Sequence, residues 1–260
     1  MEAALAAIFE TSGEGIWVAA AIFTRVGAAL FLVPGIGERA IPVRVRLSAA
    51  LLITVLLAPM VAPLVPLQPP TGAALMTVLA SEALSGLVIG LAFRLLVFAL
   101  QIAGFVAAQS ISIAQMFGSG VAPEPEPTIA SLLSMGGITL LLMAGLHVHL
   151  VVALVQLYDV FPFGRFPFGS DLAEWGIEQV SRAFSLGVAL AAPFVAIGFI
   201  YNLALGALNR AMPQLLVALV GVPFLIWIGL VVLYHVLPSL FDAWEAPARR
   251  ILFDPLGGLG

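Results

Sequence analysis

The stretch from Ala73 to about Phe117 contains no proline and only two charged residues, Glu82 and Arg94. A membrane-spanning helix needs roughly 20 mainly apolar residues, so this stretch of about 45 residues exceeds one bilayer thickness. A helix of that length must bend, tilt or leave the membrane. The whole chain is 62% hydrophobic and 9% charged, whereas soluble domains are about 25% charged. We therefore predict an all-α polytopic membrane protein.

Proline, glycine and charge divide the rest of the chain into further apolar segments. We predict about six to seven apolar helices in all, several of them broken or kinked by prolines. Beyond the last apolar segment, the tail at 242–260 is mixed in polarity and is predicted to be interfacial or frayed. The other predicted helices cover residues 15–33, 43–62, 129–158, 171–208 and 214–240.

The loop at 34–47, PGIGERAIPVRVRL, concentrates charge between two of these helices. Every basic residue of the chain is an arginine, and three of the ten lie in this loop. Because arginine-rich loops stay on the cytoplasmic side, we predict a cytoplasmic loop. The loop around 124–126 is acidic and lacks arginine, so simple alternation of sides fails there. The charged residues of the cytoplasmic loop are Glu38, Arg39, Arg44 and Arg46.

Several chemistries find no support in the sequence. The chain has no cysteine, which excludes disulfides and thiolate sites. His147 and His149 are two residues apart and would face nearly opposite sides of a helix, so we expect no metal site. No catalytic or nucleotide-binding motif is present. We expect no enzyme activity and no cofactor. The acidic N-terminus also lacks the features of a cleaved signal peptide.

Charged residues inside apolar helices require partners. Each charge near a bilayer centre costs about 2.5 to 3.5 kcal/mol on insertion scales. Glu82 and Arg94 cannot pair on one straight helix, because twelve residues separate them by about 18 Å. Arg25 is a candidate partner for Glu82 across helices. We predict that Arg25, Glu82 and Arg94 form an intramembrane polar lock, with a proton or ion relay as the alternative.

Small residues at helical spacing predict close helix packing. Gly86 and Gly90 lie four residues apart, and such spacing lets a second backbone approach within a membrane. Proline breaks in the last two helices are tolerated only where neighbours or water satisfy the freed carbonyls. This combination is typical of a subunit buried in a larger assembly, and also of a transporter core.

The order of these motifs resembles the FliR family of flagellar type III export-gate proteins, and more distantly its injectisome counterparts. The resemblance covers nearly the whole chain. It rests on R-x-G-A at 25–28, the loop at 34–47, Glu82 with the two glycines, and four later stretches. These are AGFVAAQSISIAQMFG (103–118), AGLHVHLVVAL (144–154), FPFG (161–164) and NRAMPQLLVALVGVPF (209–224).

The resemblance implies a subunit that assembles with FliP and FliQ, and with FlhB, in the bacterial inner membrane at the flagellar basal body. Unfolded flagellar proteins would pass through the assembly, and membrane lipids would surround it. A single membrane domain is implied, with a FliP-like part at 1–170 and a FliQ-like hairpin and tail at 171–260. The helices of such gates are broken and tilted.

The channel-closing loop of the family maps onto residues 110–121. Hydrophobic side chains can gate a constriction by excluding water, and glycines let a loop move at little steric cost. The alternative is that residues 110–117 simply end a packed helix. The implied plug residues are Ile111, Ile113, Met116, Phe117, Gly118 and Gly120.

Two other classes of protein compete with the gate subunit. A small ion-coupled secondary transporter could use Glu82 and Arg94 as a coupling pair, but transporters commonly have two similar halves and none is evident. An intramembrane enzyme would need a nucleophile or a metal cluster. The sequence favours a noncatalytic subunit for protein secretion.

Overall fold

The computed structural model describes residues 2–66, 68–112, 128–167, 169–211, 217–257 and 259. Within them the chain forms seven α-helices and one 3-10 turn, and it contains no strand. Five helices are long and apolar enough to cross a membrane, or six if the bent pair α4 and α5 counts as one span. The predicted all-α polytopic fold is confirmed. The elements are α1 (Glu2–Leu32), α2 (Val43–Val61), the 3-10 turn (Ala62–Leu64), α3 (Ala73–Ser112), α4 (Thr128–Met143), α5 (Leu146–Val160), α6 (Ser170–Ala211) and α7 (Val217–Phe253).

The early helix boundaries follow the local chemistry that predicts them. Pro42 caps α2 with φ −57° and ψ 141°, because proline suits the start of a helix but cannot lie within one without losing a hydrogen bond. The proline-free stretch forms one continuous helix, α3, as far as Ser112. By contrast, α1 begins at Glu2, well before the predicted start at Gly15.

The predicted single helix at 129–158 is wrong. The chain breaks between α4 and α5 at Gly145, which has φ +87°. This left-handed conformation is strained for residues with a side chain, and glycine adopts it readily. The backbone N–H of Gly145 donates to the Leu142 carbonyl at 3.1 Å. One glycine therefore converts a long apolar segment into a bent pair.

The predicted end of the last helix at about residue 240 is also wrong. Helix α7 continues to Phe253, through the segment that we expected to be frayed. Trp244, Ala248 and Leu252 recur at four-residue intervals and are all buried, forming an apolar stripe on one face of the helix. Asn209 and Arg210, which fall between the predicted helices 171–208 and 214–240, likewise lie inside a helix, α6.

The described chain divides into two compact units. Unit 1 comprises residues 1–94, 141–179 and 250–260, and unit 2 comprises residues 95–140 and 180–249. Helix α3 contributes its first part to unit 1 and its last part to unit 2. This division follows spatial contacts, whereas the predicted boundary at 170 follows family resemblance and stays a prediction.

In unit 1, α1 and α3 pack closely and run in the same direction. A Cβ at Gly90 would lie 2.6 Å from the Ala29 carbonyl oxygen, and one at Gly86 would overlap the Arg25 carbonyl oxygen. The two backbones therefore meet where Gly86 and Gly90 carry no side chains. At the middle of α1, the Trp17 indole N–H donates to the Pro66 carbonyl at 3.0 Å.

In unit 2, the last part of α3 is packed by a tryptophan and by glycines of neighbouring helices. The Trp244 indole of α7 is fully buried and donates to the Leu96 carbonyl at 2.9 Å. A Cβ at Gly187 would lie 2.8 Å from the Ala99 carbonyl oxygen, and one at Gly198 would lie 2.6 Å from that of Ser110. Helix α6 thus approaches α3 as closely as two backbones allow.

Candidate functional site

The most distinctive side-chain cluster of unit 1 is a buried ion pair between α1 and α3. Arg25 Nε donates to Glu82 Oε2 at 2.8 Å, and Arg25 Nη2 donates to Glu82 Oε1 at 3.0 Å. The two side chains are 1% and 0% exposed. Such a two-bond guanidinium–carboxylate pair is both strong and geometrically specific. The close approach at Gly86, one turn after Glu82, brings the two helices within reach of each other.

Further groups complete the surroundings of the ion pair. The Arg25 guanidinium lies over the Tyr158 ring, 3.6 Å from its centroid, in a cation–π arrangement. The Tyr158 hydroxyl lies 3.4 Å from Glu82 Oε2. Among the described residues, Arg25 Nη1 is buried and has no hydrogen-bond partner. Both carboxylate oxygens of Glu82 therefore have polar partners, whereas Arg25 Nη1 has none among the described residues.

The same ion pair holds both ends of the turn that follows α5. Arg25 Nη2 donates to the Phe161 carbonyl, and the Gly164 amide donates to Glu82 Oε1, each at 3.0 Å. Gly164 has φ +69°, which only glycine adopts at low cost. We call residues 161–164 the FPFG turn. The arrangement makes the ion pair a clamp that fixes this turn against α1 and α3.

Arg94 does not join this cluster. It forms an ion pair with Glu38, and the side chains of Arg94 and Glu38 are 28% and 30% exposed. An ion pair that is exposed to this extent contributes little to stability. The structure brings Arg25 and Glu82 together and pairs Arg94 with Glu38, in the loop between α1 and α2, instead. Sequence reasoning gave Glu38 no intramolecular partner, since the loop and α3 lie far apart along the chain.

The predicted cytoplasmic loop has an internal framework. Arg46 Nη2 donates to the carbonyls of Glu38 at 3.0 Å and Ile41 at 3.4 Å. The Gly37 amide donates to the Val33 carbonyl at 2.8 Å. Arg39 and Arg44 are exposed. The four charged residues thus divide into an inward set, Glu38 and Arg46, and an outward set.

The two histidines of α5 have separate surroundings. The ring of His149 lies edge to face with that of Phe253, with centroids 4.5 Å apart, whereas His147 is exposed. Among the described residues, no group of three or more His, Cys, Asp or Glu side chains could hold a metal ion.

The implied plug lies almost wholly outside the described residues. Ile111 belongs to the last turn of α3, but its side chain falls outside the description. No geometry therefore bears on the plug assignment. The residues wholly outside the described ranges are Ile113, Met116, Phe117, Gly118 and Gly120.

Sequence reasoning missed two parts of the cluster. Tyr158 is a lone phenol in an aliphatic helix, which is a weak signal that its hydroxyl needs a partner. The FPFG turn has glycine after an aromatic residue, and this predicts a turn without naming the acid that binds its amide. Both groups contact Glu82 across more than 70 positions of sequence.

Known proteins match this chain over most of its length. Residues 16–250 match the family described as bacterial export proteins, family 1. The flagellar biosynthetic protein FliR of Caulobacter vibrioides is 37% identical over 238 residues, which cover 91% of this chain and 95% of that protein. The FliR of Escherichia coli is 28% identical over 243 residues, which cover 90% of this chain and 88% of that protein.

A more distant relative carries a different name. The Yop proteins translocation protein T of Yersinia pestis is 28% identical over 154 residues, covering 57% of this chain and 58% of that protein. The resemblance inferred from the motifs is confirmed by these matches. The chain belongs to the FliR family of bacterial export proteins.

Proposed function

We propose that this chain is a noncatalytic subunit of the flagellar type III protein export gate in the bacterial inner membrane. The observation that carries the proposal is the match of residues 16–250 to bacterial export proteins, and five of the described helices are long and apolar enough to cross a membrane. One relative is named for flagellar biosynthesis and another for translocation of Yop proteins. The match to the flagellar relative covers 91% of the chain, whereas the match to the Yop translocation protein covers 57%. This difference favours a flagellar role.

The partners in this proposal are FliP and FliQ, with FlhB nearby. Support comes from the large exposed surface that several helices have in the isolated chain. Only 22% of the apolar segment Trp227–Phe253 of α7 is buried, and only 33% of the apolar segment Ser170–Leu208 of α6. Large exposed side chains on α6 include Phe184, Phe199 and Ile200, each at least 59% exposed. Apolar surface of this extent needs lipid or other subunits to cover it.

The proposed division of labour follows the family. Residues 1–170 would act as the FliP-like part and residues 171–260 as the FliQ-like hairpin and tail. The segment at 110–121 would close the channel through its apolar side chains, since a hydrophobic constriction excludes water and ions. Unfolded flagellar proteins would displace it during export.

Removal of the chain from its own bacterium tests the function directly. Secretion of flagellar filament protein should stop and should return on re-expression. Shortening the segment 111–120 tests the plug: vesicles carrying the assembled gate should then leak ions. A matched control replaces Ile111, Ile113, Met116 and Phe117 with serine at unchanged length, which separates loss of apolar character from loss of length. Unchanged conductance in both variants would remove the plug assignment while leaving the secretion role standing.

The transporter alternative has less support. It uses Glu82 and Arg94 as one coupling pair, but Glu82 pairs with Arg25 and Arg94 pairs with Glu38. A carboxylate that accepts from a guanidinium and from a backbone amide has its lone pairs in use. The geometry therefore favours a structural role for Glu82.

A further inference from the structure

Helix α2 buries one narrow side and leaves most of its aliphatic side chains exposed. Ala50, Thr54, Leu57 and Val61 are buried and lie on the side that faces the protein. The outward face is aliphatic over most of the helix length. Its exposed members include Val43 at 75%, Leu52 at 72%, Val55 at 72% and Met60 at 60%.

The composition of this outward face favours lipid over protein. Protein interfaces are enriched in aromatic residues, and α2 has no aromatic residue. The one exposed hydroxyl, Ser48, already donates to the Arg44 carbonyl at 2.9 Å. Beyond the first turn, which carries Arg44 and Arg46, the exposed surface of α2 is aliphatic and has no free polar group, which suits acyl chains.

The length of α2 sets the depth of the loop before it. Its 19 residues extend about 28 Å at 1.5 Å per residue, close to the roughly 30 Å of a bilayer's hydrocarbon core. If acyl chains cover the aliphatic face, the first turn of α2 and the loop at 34–47 lie at the level of lipid headgroups. The charges of the loop then face phosphates.

Those charges leave a net positive surface. Glu38 is paired with Arg94, and Arg46 donates to loop carbonyls. Among the described residues, Arg39 and Arg44 are exposed and make no side-chain hydrogen bond or ion pair. Within the part of the chain that the structure describes, the charges of these two arginines therefore have no intramolecular counterpart.

We propose that Arg39 and Arg44, together with the aliphatic face of α2, form a docking surface for an anionic phospholipid. The two guanidinium groups bind the headgroup phosphate, and the face of α2 carries the acyl chains. Each arginine near an anionic membrane surface contributes about 1 kcal/mol of attraction. The surface thus selects negatively charged lipids over zwitterionic ones.

The test uses the full-length chain in nanodiscs of equal parts phosphatidylglycerol and phosphatidylcholine, with retained lipids identified by native mass spectrometry. The chain should retain phosphatidylglycerol preferentially. The double variant R39Q/R44Q should lower that preference roughly tenfold or more. The matched control is R249Q/R250Q, which removes the same charge from two other exposed arginines and should leave the preference unchanged.

Three results would overturn the proposal. Equal retention by R39Q/R44Q and the unchanged chain would show that these arginines do not select lipid. Displacement of phosphatidylglycerol by millimolar inorganic phosphate would indicate a plain anion site without acyl-chain contacts. Loss of partner-subunit binding in R39Q/R44Q, with the lipid preference intact, would assign the surface to a protein neighbour. Far-ultraviolet circular dichroism verifies that each variant is folded.

Discussion

Arg25 and Glu82 lie 57 positions apart in the sequence and form a buried two-bond ion pair, with Nε–Oε2 at 2.8 Å and Nη2–Oε1 at 3.0 Å. The pair joins α1 to α3 and also binds both ends of the FPFG turn. Four segments of unit 1 thus depend on one contact, since Tyr158 of α5 stacks on the guanidinium as well.

Removing one member of this pair should destabilise unit 1 strongly. The variant Glu82→Gln leaves a buried guanidinium without its counter-charge, and breaking a buried pair costs about 3 to 5 kcal/mol. We expect a lower free energy of unfolding, measured by denaturant titration in detergent micelles. The control is Glu245→Gln, which breaks the exposed pair with Arg249 and should change stability by less than about 1 kcal/mol.

Replacing both members separates a structural lock from a relay. The double variant Arg25→Met/Glu82→Met removes both buried charges, so it should be more stable than Glu82→Gln. If the pair is a lock, the double variant should recover export once it folds. A folded double variant that assembles but cannot export would instead indicate that the charges act in transport.

Close packing of α1 on α3 should make Gly86 intolerant of a side chain. Gly86→Val places its Cβ against the Arg25 carbonyl, and overpacking of this kind typically costs 1 to 3 kcal/mol or more. Gly27→Ala in α1 is the control, because a Cβ there meets nothing within 4 Å. Thermal unfolding in detergent would compare the two. Equal melting temperatures would contradict the observed approach of the helices.

Trp244 should anchor the part of α7 that sequence reasoning expected to be frayed. Trp244→Ala empties a fully buried site, which costs about 3 to 5 kcal/mol. Trp244→Phe keeps most of the volume but loses the hydrogen bond to Leu96, worth about 1 kcal/mol. Limited proteolysis of the segment 242–253 would report the difference. Cleavage of the unchanged chain at that segment would contradict its helical packing.

Exchanging the two charges of the Glu38–Arg94 ion pair should preserve the contact. Glu38→Arg brings two cations together, and the added change Arg94→Glu should restore the attraction. Because the pair is partly exposed, we expect a coupling energy of about 0.2 to 1 kcal/mol in a double-mutant cycle. A cycle with zero coupling would show that the contact does not position the loop.

Apolar periodicity and proline placement predicted most helices of this fold because both are local properties. The continuous α3 and the start of α2 after Pro42 agree with those predictions. The break at Gly145 was not predicted, because a glycine inside an apolar helix can either continue it or reverse its φ, and tertiary packing decides. The stripe of Trp244, Ala248 and Leu252 was hidden by the charged residues around it.

The candidate site was predictable only in part. A membrane charge requires a partner, and this rule alone suggested Arg25 for Glu82. The rule could not decide whether Arg94 joins Glu82 or pairs with Glu38. Either arrangement places the arginine beside an acid, so either one satisfies the rule. The roles of Tyr158 and Gly164 depend on how the FPFG turn folds back, which no local pattern reports.

Copurification with FliP and FliQ tests the central claim most directly. The three proteins are expressed together from the same bacterium, with an affinity tag on this chain, and solubilised in mild detergent. We expect one complex that elutes as a single species and contains all three proteins in a fixed ratio. Purification of this chain alone as a folded, monodisperse protein, with FliP and FliQ assembling equally well without it, would contradict its proposed role as a gate subunit.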